Sequence, residues 1–140
     1  MSRATADEIF VEFRRVIASV ILFNDQVAQQ TGMSMSESQF IHLLELHGSM
    51  TPSELAERSK LTSGTVTGVL DRLEAMEFVR RERHPSDRRK VVVVLEPAKV
   101  AQQLGPLYTE QAEALERVIA SFSASEQETI ARFLRLLTRP

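Results

Sequence analysis

The sequence predicts a mainly α protein interrupted by a single two-stranded β-hairpin. Three observations carry this expectation. Four hydroxyl–carboxylate pairs stand at capping-box spacing, Thr5–Glu8, Ser34–Glu37, Thr51–Glu54 and Ser123–Glu126, a pattern in which each partner satisfies an orphan N–H of a helix start. Each pair is followed by apolar residues at helical spacing. Only one stretch changes period: residues 78–83 and 90–95 suit strands, the second through its β-branched run Val91-Val92-Val93-Val94.

The elements follow in order. After Thr5, apolar residues recur at Ile9, Phe10, Phe13, Val16, Ile17, Val20, Ile21 and Val27, which predicts a long helix ending near Thr31-Gly32. Ser34 opens a shorter helix carrying Phe40, Leu43 and Leu44, which stops at His47-Gly48. Thr51-Pro52 begins another, with proline at the first helical position, where its missing donor costs nothing. A break at Ser59–Leu61 leads to a helix from Thr62 to about Met76. The turn-forming segment His84-Pro85-Ser86-Asp87 joins the two strands. Pro97 begins a long helix that Gly105-Pro106 should kink or break, and Ser123 opens the last one.

Bulk properties narrow the function. Apolar residues make up 43% of the 140, enough for a core, and no apolar run approaches a membrane span. Asp7, Glu8, Glu12 and Arg14 interrupt any signal-peptide pattern, and cysteine is absent, which removes disulfides, thiolate metal sites and thiol redox sensing. A cytoplasmic protein without cofactor or metal is expected. His42, His47 and His84 include no pair at i, i+3 or i+4. The net charge of −2 argues against nucleic-acid binding, but its distribution argues for it. Residues 51–95 hold nine Lys/Arg against seven Asp/Glu, and Arg80, Arg81, Arg83, Arg88, Arg89 and Lys90 face only Glu82 and Asp87.

Two short helices, a tight turn and a basic hairpin describe a winged helix-turn-helix. In the second of these helices Val66, Val69, Leu70 and Leu73 form an i, i+3, i+4, i+7 stripe that must face inward. Gly64, Gly68 and Asp71 fall opposite it, with Ser63, Thr65, Thr67 and Arg72 on its flanks. Small and hydroxyl side chains at the start of an exposed helix permit close entry into a major groove. The two glycines cost about 1 kcal/mol each relative to alanine. Close approach of DNA would compensate; tight helix–helix packing is the plainer alternative.

At this point the sequence resembles the MarR family of transcription regulators across nearly its whole length. The most specific segments are Leu61–Glu74, LTSGTVTGVLDRLE, and Asp87–Leu95, DRRKVVVVL, which matches the family's wing signature. The resemblance implies that Arg89 enters the minor groove, oriented by Asp87, with Arg88 beside it in the DNA-binding set. It carries recognition-helix contacts to Thr62, Ser63, Thr65, Gly68 and Arg72, and a phosphate contact to Ser53. Glu77 departs from a common glycine, Glu96 from the usual threonine and Lys99 from a frequent glycine; these bear on local turns and a helix cap, not on the fold.

The resemblance also implies a homodimer, with residues 1–33 and 97–140 as the helical dimerisation region and 34–96 as the DNA-binding region. Two recognition helices would then address a pseudo-palindromic operator; a monomer folding these helices onto its own core is the alternative. Release by a small aromatic or phenolic effector is a further implication, with Phe13, Arg14, Ile17, His42 and Tyr108 as pocket candidates. Repression is the family default. Catalysis is not expected: His84 and Asp87 lie near each other on the basic hairpin without a nucleophile, and Ser63-Gly64 precedes no phosphate-loop lysine. A winged helix used for protein contact, or as a non-specific architectural DNA binder, remains the rival reading.

Overall fold

All four capping boxes form with both of their hydrogen bonds in the computed structural model, which describes residues 4–139. The helices they open are α1 (Ala6–Thr31), α2 (Met35–His47), α3 (Pro52–Ser59) and, near the C-terminus, α7 (Ala124–Leu137). Between them lie α4 (Ser63–Ala75), the strands β1 (Val79–Arg83) and β2 (Val91–Leu95), then α5 (Pro97–Gln103) and α6 (Gly105–Ala120). The break expected at Gly105-Pro106 falls at Leu104, and the chain divides there into two compact units. The outer ends of the expected dimerisation ranges, residues 1–3 and 140, lie outside the described residues.

In the first unit the core is assembled from short helices. Phe40, Ile41 and Leu44 of α2 and Leu55 of α3 are buried together with the Val66, Val69, Leu70 and Leu73 stripe of α4. α4 packs on α2 and α3 and against β1. Each fully buried aliphatic side chain contributes about 1.5–3 kcal/mol, so the stripe alone dictates which face of α4 turns inward.

The hairpin is antiparallel, with Val79 opposite Leu95 and Arg83 opposite Val91. Val92 and Val93 are both buried although they point to opposite faces. The reason is a third partner: Met50 exchanges hydrogen bonds of 3.3 and 2.7 Å with Val93, so β2 lies between β1 and the residue preceding the cap of α3. The base of the wing is thereby tied to the helix-turn-helix.

Two non-glycine residues adopt positive φ, Lys60 at 58° and Glu77 at 64°. Lys60 ends α3 and supplies the break expected at Ser59–Leu61. Glu77 turns the chain from α4 into β1, with its N–H on the Glu74 carbonyl and that of Phe78 on Leu73. Left-handed backbone suits glycine, which gives the departure at Glu77 a physical content. Glu96 likewise forms no side-chain cap on α5.

The terminal helices bury almost nothing. α1 has one buried residue, Val27, while α6 and α7 have none. In the second unit, α6 and α7 are joined by Gln127, whose side-chain amide donates to the Ile119 and Phe122 carbonyls at 3.0 Å each. No described helix is long and apolar enough to cross a membrane.

Candidate nucleic-acid interface

α4 starts at Thr62, whose hydroxyl accepts the Thr65 N–H at 3.3 Å and lies 2.9 Å from the Thr65 hydroxyl. Thr67 turns its hydroxyl back onto the Ser63 carbonyl at 2.9 Å. Ser63, Gly64, Thr65 and Thr67 are exposed and Gly68 half-buried, so the first two turns present a low polar ridge. Ser53 is exposed in the first turn of α3.

The glycines answer the question left open by the sequence. A Cβ at Gly64 would meet nothing within 4 Å, and one at Gly68 would meet only Arg72 Nη1 at 3.6 Å, an ordinary contact. Helix packing within the chain therefore requires neither glycine. Their cost is not offset by packing against any described residue.

Arg72 is held from below. Its Nε donates to Glu37 Oε1 at 2.6 Å, while Glu37 Oε2 accepts the Ser34 N–H at 2.8 Å in the α2 capping box. The Glu37 side chain is 4% exposed and that of Arg72 57%. One buried carboxylate thus caps α2 and anchors α4. The arginine's remaining edge is turned to solvent beside Gly68.

The basic edge is narrower than the sequence suggests. Arg81 bridges Asp71 at 2.9 Å and Glu74 at 2.8 Å, and Arg80 bridges Glu82 at 2.6 Å and Glu96 at 2.8 Å. The hydrogen bonds that Arg80 donates to Glu96 and Arg81 to Asp71 are the main reason both guanidinium pKa values are raised. Both arginines neutralise acids at the base of the hairpin: Arg81 clamps the wing to α4, while Arg80 ties β1 to Glu96 beyond the end of β2. Arg83, Arg88 and Lys90 form no ion pair with a described residue.

At the tip, Asp87 Oδ1 accepts the Arg89 backbone N–H at 3.1 Å and its Nε–H at 3.2 Å. These bonds from Arg89, backbone first, hold the Asp87 carboxyl below its ordinary range. The Arg89 side chain is 91% exposed and projects from the hairpin. His84 sits behind it, its Nδ1 accepting two backbone N–H groups, a role distinct from the metal-ligand and acid–base roles its sequence position raises. The available signal was a side-chain acceptor two and three residues ahead of the amides of a turn, the geometry that Asn and Asp use in Asx-turns.

The ligand-pocket candidates lie on different elements. Phe13, Arg14 and Ile17 belong to α1, His42 to α2, 3.7 Å from Glu45, and Tyr108 to α6. Arg14 lines an open depression of about 300 Å³ with Val11, Arg15 and Ala18. No group of three or more His, Cys, Asp or Glu among the described residues could hold a metal ion.

The MarR family sequence model matches residues 33–91, the span from the end of α1 to the start of β2. Two uncharacterized HTH-type transcriptional regulators of Bacillus subtilis align along most of the chain. YcgE is 31% identical over 95% of this chain and 86% of its own length, and YfiV 34% over 94% and 82%. The chain belongs to the MarR family. It is accordingly a DNA-binding transcription regulator and not an enzyme. The HTH-type transcriptional repressor NicR of Pseudomonas putida is 31% identical over 72% of this chain and 65% of its own length. Among solved structures, a MepR mutant from a multidrug resistant S. aureus clinical isolate superposes with a TM-score of 0.77 at 18% identity, covering 99% and 98% of the two chains. Another S. aureus MepR mutant, bound to an oligodeoxyribonucleotide, gives 0.62 at 19% identity over 97% and 98%. These structures share the fold of this regulator.

Proposed function

We propose that this MarR-family regulator acts as a homodimeric repressor on a pseudo-palindromic operator, with α4 in the major groove and Arg89 in the adjacent minor groove of each half-site. The observation that carries the reading is the pairing of an uncompensated glycine ridge with a projecting, carboxylate-aimed arginine beside it. The ridge admits base edges at short range; the arginine suits the narrow, electronegative minor groove. In this reading Ser53 meets a phosphate, Thr62, Ser63, Thr65, Gly68 and Arg72 line the groove, and Asp87 and Arg88 flank Arg89. NicR, a repressor, supports repression, and the oligodeoxyribonucleotide bound to the MepR mutant supports DNA as the partner.

Dimerisation is supported by the uncovered apolar surface of the terminal helices. Phe10 of α1 is 63% exposed and Leu136 of α7 is 61% exposed, and Leu22, Leu115, Phe133 and Leu134 are exposed with them. A chain does not keep so much apolar surface in water without a partner, and a second copy arranged about a two-fold axis would present two α4 helices about 34–36 Å apart. Leu134→Glu removes no core contact, yet should shift the protein towards monomer in sedimentation. A small aromatic or phenolic effector, with Phe13, Arg14, Ile17, His42 and Tyr108 as its candidate contacts, would act by preferring the state that cannot bind DNA.

The test is affinity for duplex selected from random DNA against scrambled duplex, over a range of salt. Arg89→Ala should weaken every sequence and lower the log–log salt slope by about one. Thr65→Ala should mainly relax preference. A protein that binds both duplexes alike would be an architectural binder instead.

A further inference from the structure

The tip of the wing is built around His84. Its Nδ1 lies 3.1 Å from the Ser86 backbone nitrogen and 3.2 Å from that of Asp87. Backbone amides only donate, so Nδ1 accepts both bonds and carries no proton. The turn is closed on the other side by the Lys90 N–H on the Asp87 carbonyl at 3.0 Å and the His84 N–H on the Lys90 carbonyl at 2.9 Å. Asp87, fixed by its backbone in this way, aims its carboxylate at Arg89. A continuous chain of bonds runs from imidazole to the exposed guanidinium.

We infer that His84 is a positioning residue for Arg89, engaged only while its Nδ1 is unprotonated, so that the wing's hold on DNA weakens when the imidazole gains a second proton. The inference rests on the reading of Arg89 as a DNA contact. Protonation turns Nδ1 from acceptor into donor, facing two N–H groups that already point at it. The Ser86 and Asp87 amides then lose their partner, and Asp87 keeps only the Lys90 N–H on its carbonyl to hold its backbone.

The charged groups around the ring are mixed. His84 lines an open cleft of about 510 Å³ with Arg89 and Lys90 of the wing and with Glu54 and Glu57 of α3, which face it across Thr51, Pro52 and Ser53. Asp87 is its neighbour on the turn. Three carboxylates and two cations thus lie around the ring, and bound DNA would add phosphate. The added charge by itself strengthens binding to any sequence. Loss of the acceptor acts in the other direction and only through Arg89, so the sign of the pH profile separates the two effects.

The experiment measures affinity of the full chain for its selected duplex by fluorescence anisotropy, at constant ionic strength, from about pH 8 to 5.5, the span in which imidazoles change charge. The native protein should weaken about five- to tenfold on acidification, the worth of roughly one net hydrogen bond. His84→Asn keeps an acceptor near the Nδ1 position at every pH; it should bind like the native protein at the alkaline end and stay flat. His84→Ala should be weak by the same factor throughout. Adding it to Arg89→Ala should cost nothing more. The Asn variant isolates the contribution of His84 from those of His42 and His47. A native profile that is flat or tightens on acidification overturns the proposal, as does a His84→Asn profile that declines alongside it. If Arg89→Ala binds as tightly as the native protein, the reading of the wing itself fails, an outcome distinct from failure of the His84 link.

Discussion

Replacing the ridge glycines with alanine should make the protein more stable and a poorer DNA binder at once. Gly68 lies in the middle of α4, where alanine is favoured by about 0.8–1.0 kcal/mol. The new methyl meets only the Arg72 guanidinium at an ordinary 3.6 Å, so no strain offsets the gain. At Gly64, in the first turn, the space is open and the gain smaller. For a chain of this size about 1 kcal/mol corresponds to roughly 4 °C in Tm, measured at fixed protein concentration because self-association shifts Tm. In the proposed complex the same methyl would have to fit a DNA surface that approaches the ridge closely. Overpacking of about 1.4 kcal/mol is a tenfold loss of affinity, read by anisotropy on the selected duplex. Two results refute the reasoning: a lower Tm, which would mean that the glycines serve the fold, or a higher Tm with affinity intact, which would mean that nothing comes close to the ridge.

Three other outcomes are expected. Arg72→Ala strands the buried Glu37 with only the Ser34 N–H; a fully buried pair would lose about 3–5 kcal/mol, and with the arginine more than half exposed we expect about 1–2 kcal/mol after screening, partly recovered by adding Glu37→Gln and measured by urea unfolding. Glu77→Gly relieves a positive φ worth about 1–2 kcal/mol against a glycine entropy cost of about 0.5–1 kcal/mol, for a net gain of about 0.5–1 kcal/mol; a loss of stability would contradict this. The Ser123 backbone and then side-chain bonds lower the Glu126 carboxyl pKa. A depressed carboxylate stabilises above its ordinary range and loses that contribution as pH falls through the lowered value, so α7 should fray on acidification, and hydrogen exchange in its first turn should become less acid-sensitive in Glu126→Gln.

What could be read in the sequence was local. Capping boxes are complete within four residues, and all four formed; the α4 stripe is complete within eight, and it is buried as its spacing demands. The wing appeared as a change of period and a run of valines. Pairings across the fold were not legible. Arg72 meets a partner 35 residues earlier in the sequence, and nothing near it marks Glu37 as anything beyond a cap. The register that takes Arg80 and Arg81 out of the basic edge depends on how the hairpin closes and where α4 stops. The Met50 pairing with Val93 joins residues 43 positions apart, and a bare methionine carries no strand signal. His84 was visible as a histidine before a proline, but its acceptor role appears only once the turn is folded.

The three ties described above, Glu37 to Arg72, Arg81 to Asp71 and Glu74, and Met50 to Val93, have a joint consequence for control. They brace α4 and the base of the finger together as one jaw, so a signal gains little by parting the two. In the proposed homodimer the adjustable quantity would be the gap between two such jaws, as in a pair of calipers. Induction should therefore register as a change in the operator spacing the protein accepts, with the bases preferred inside each half unchanged.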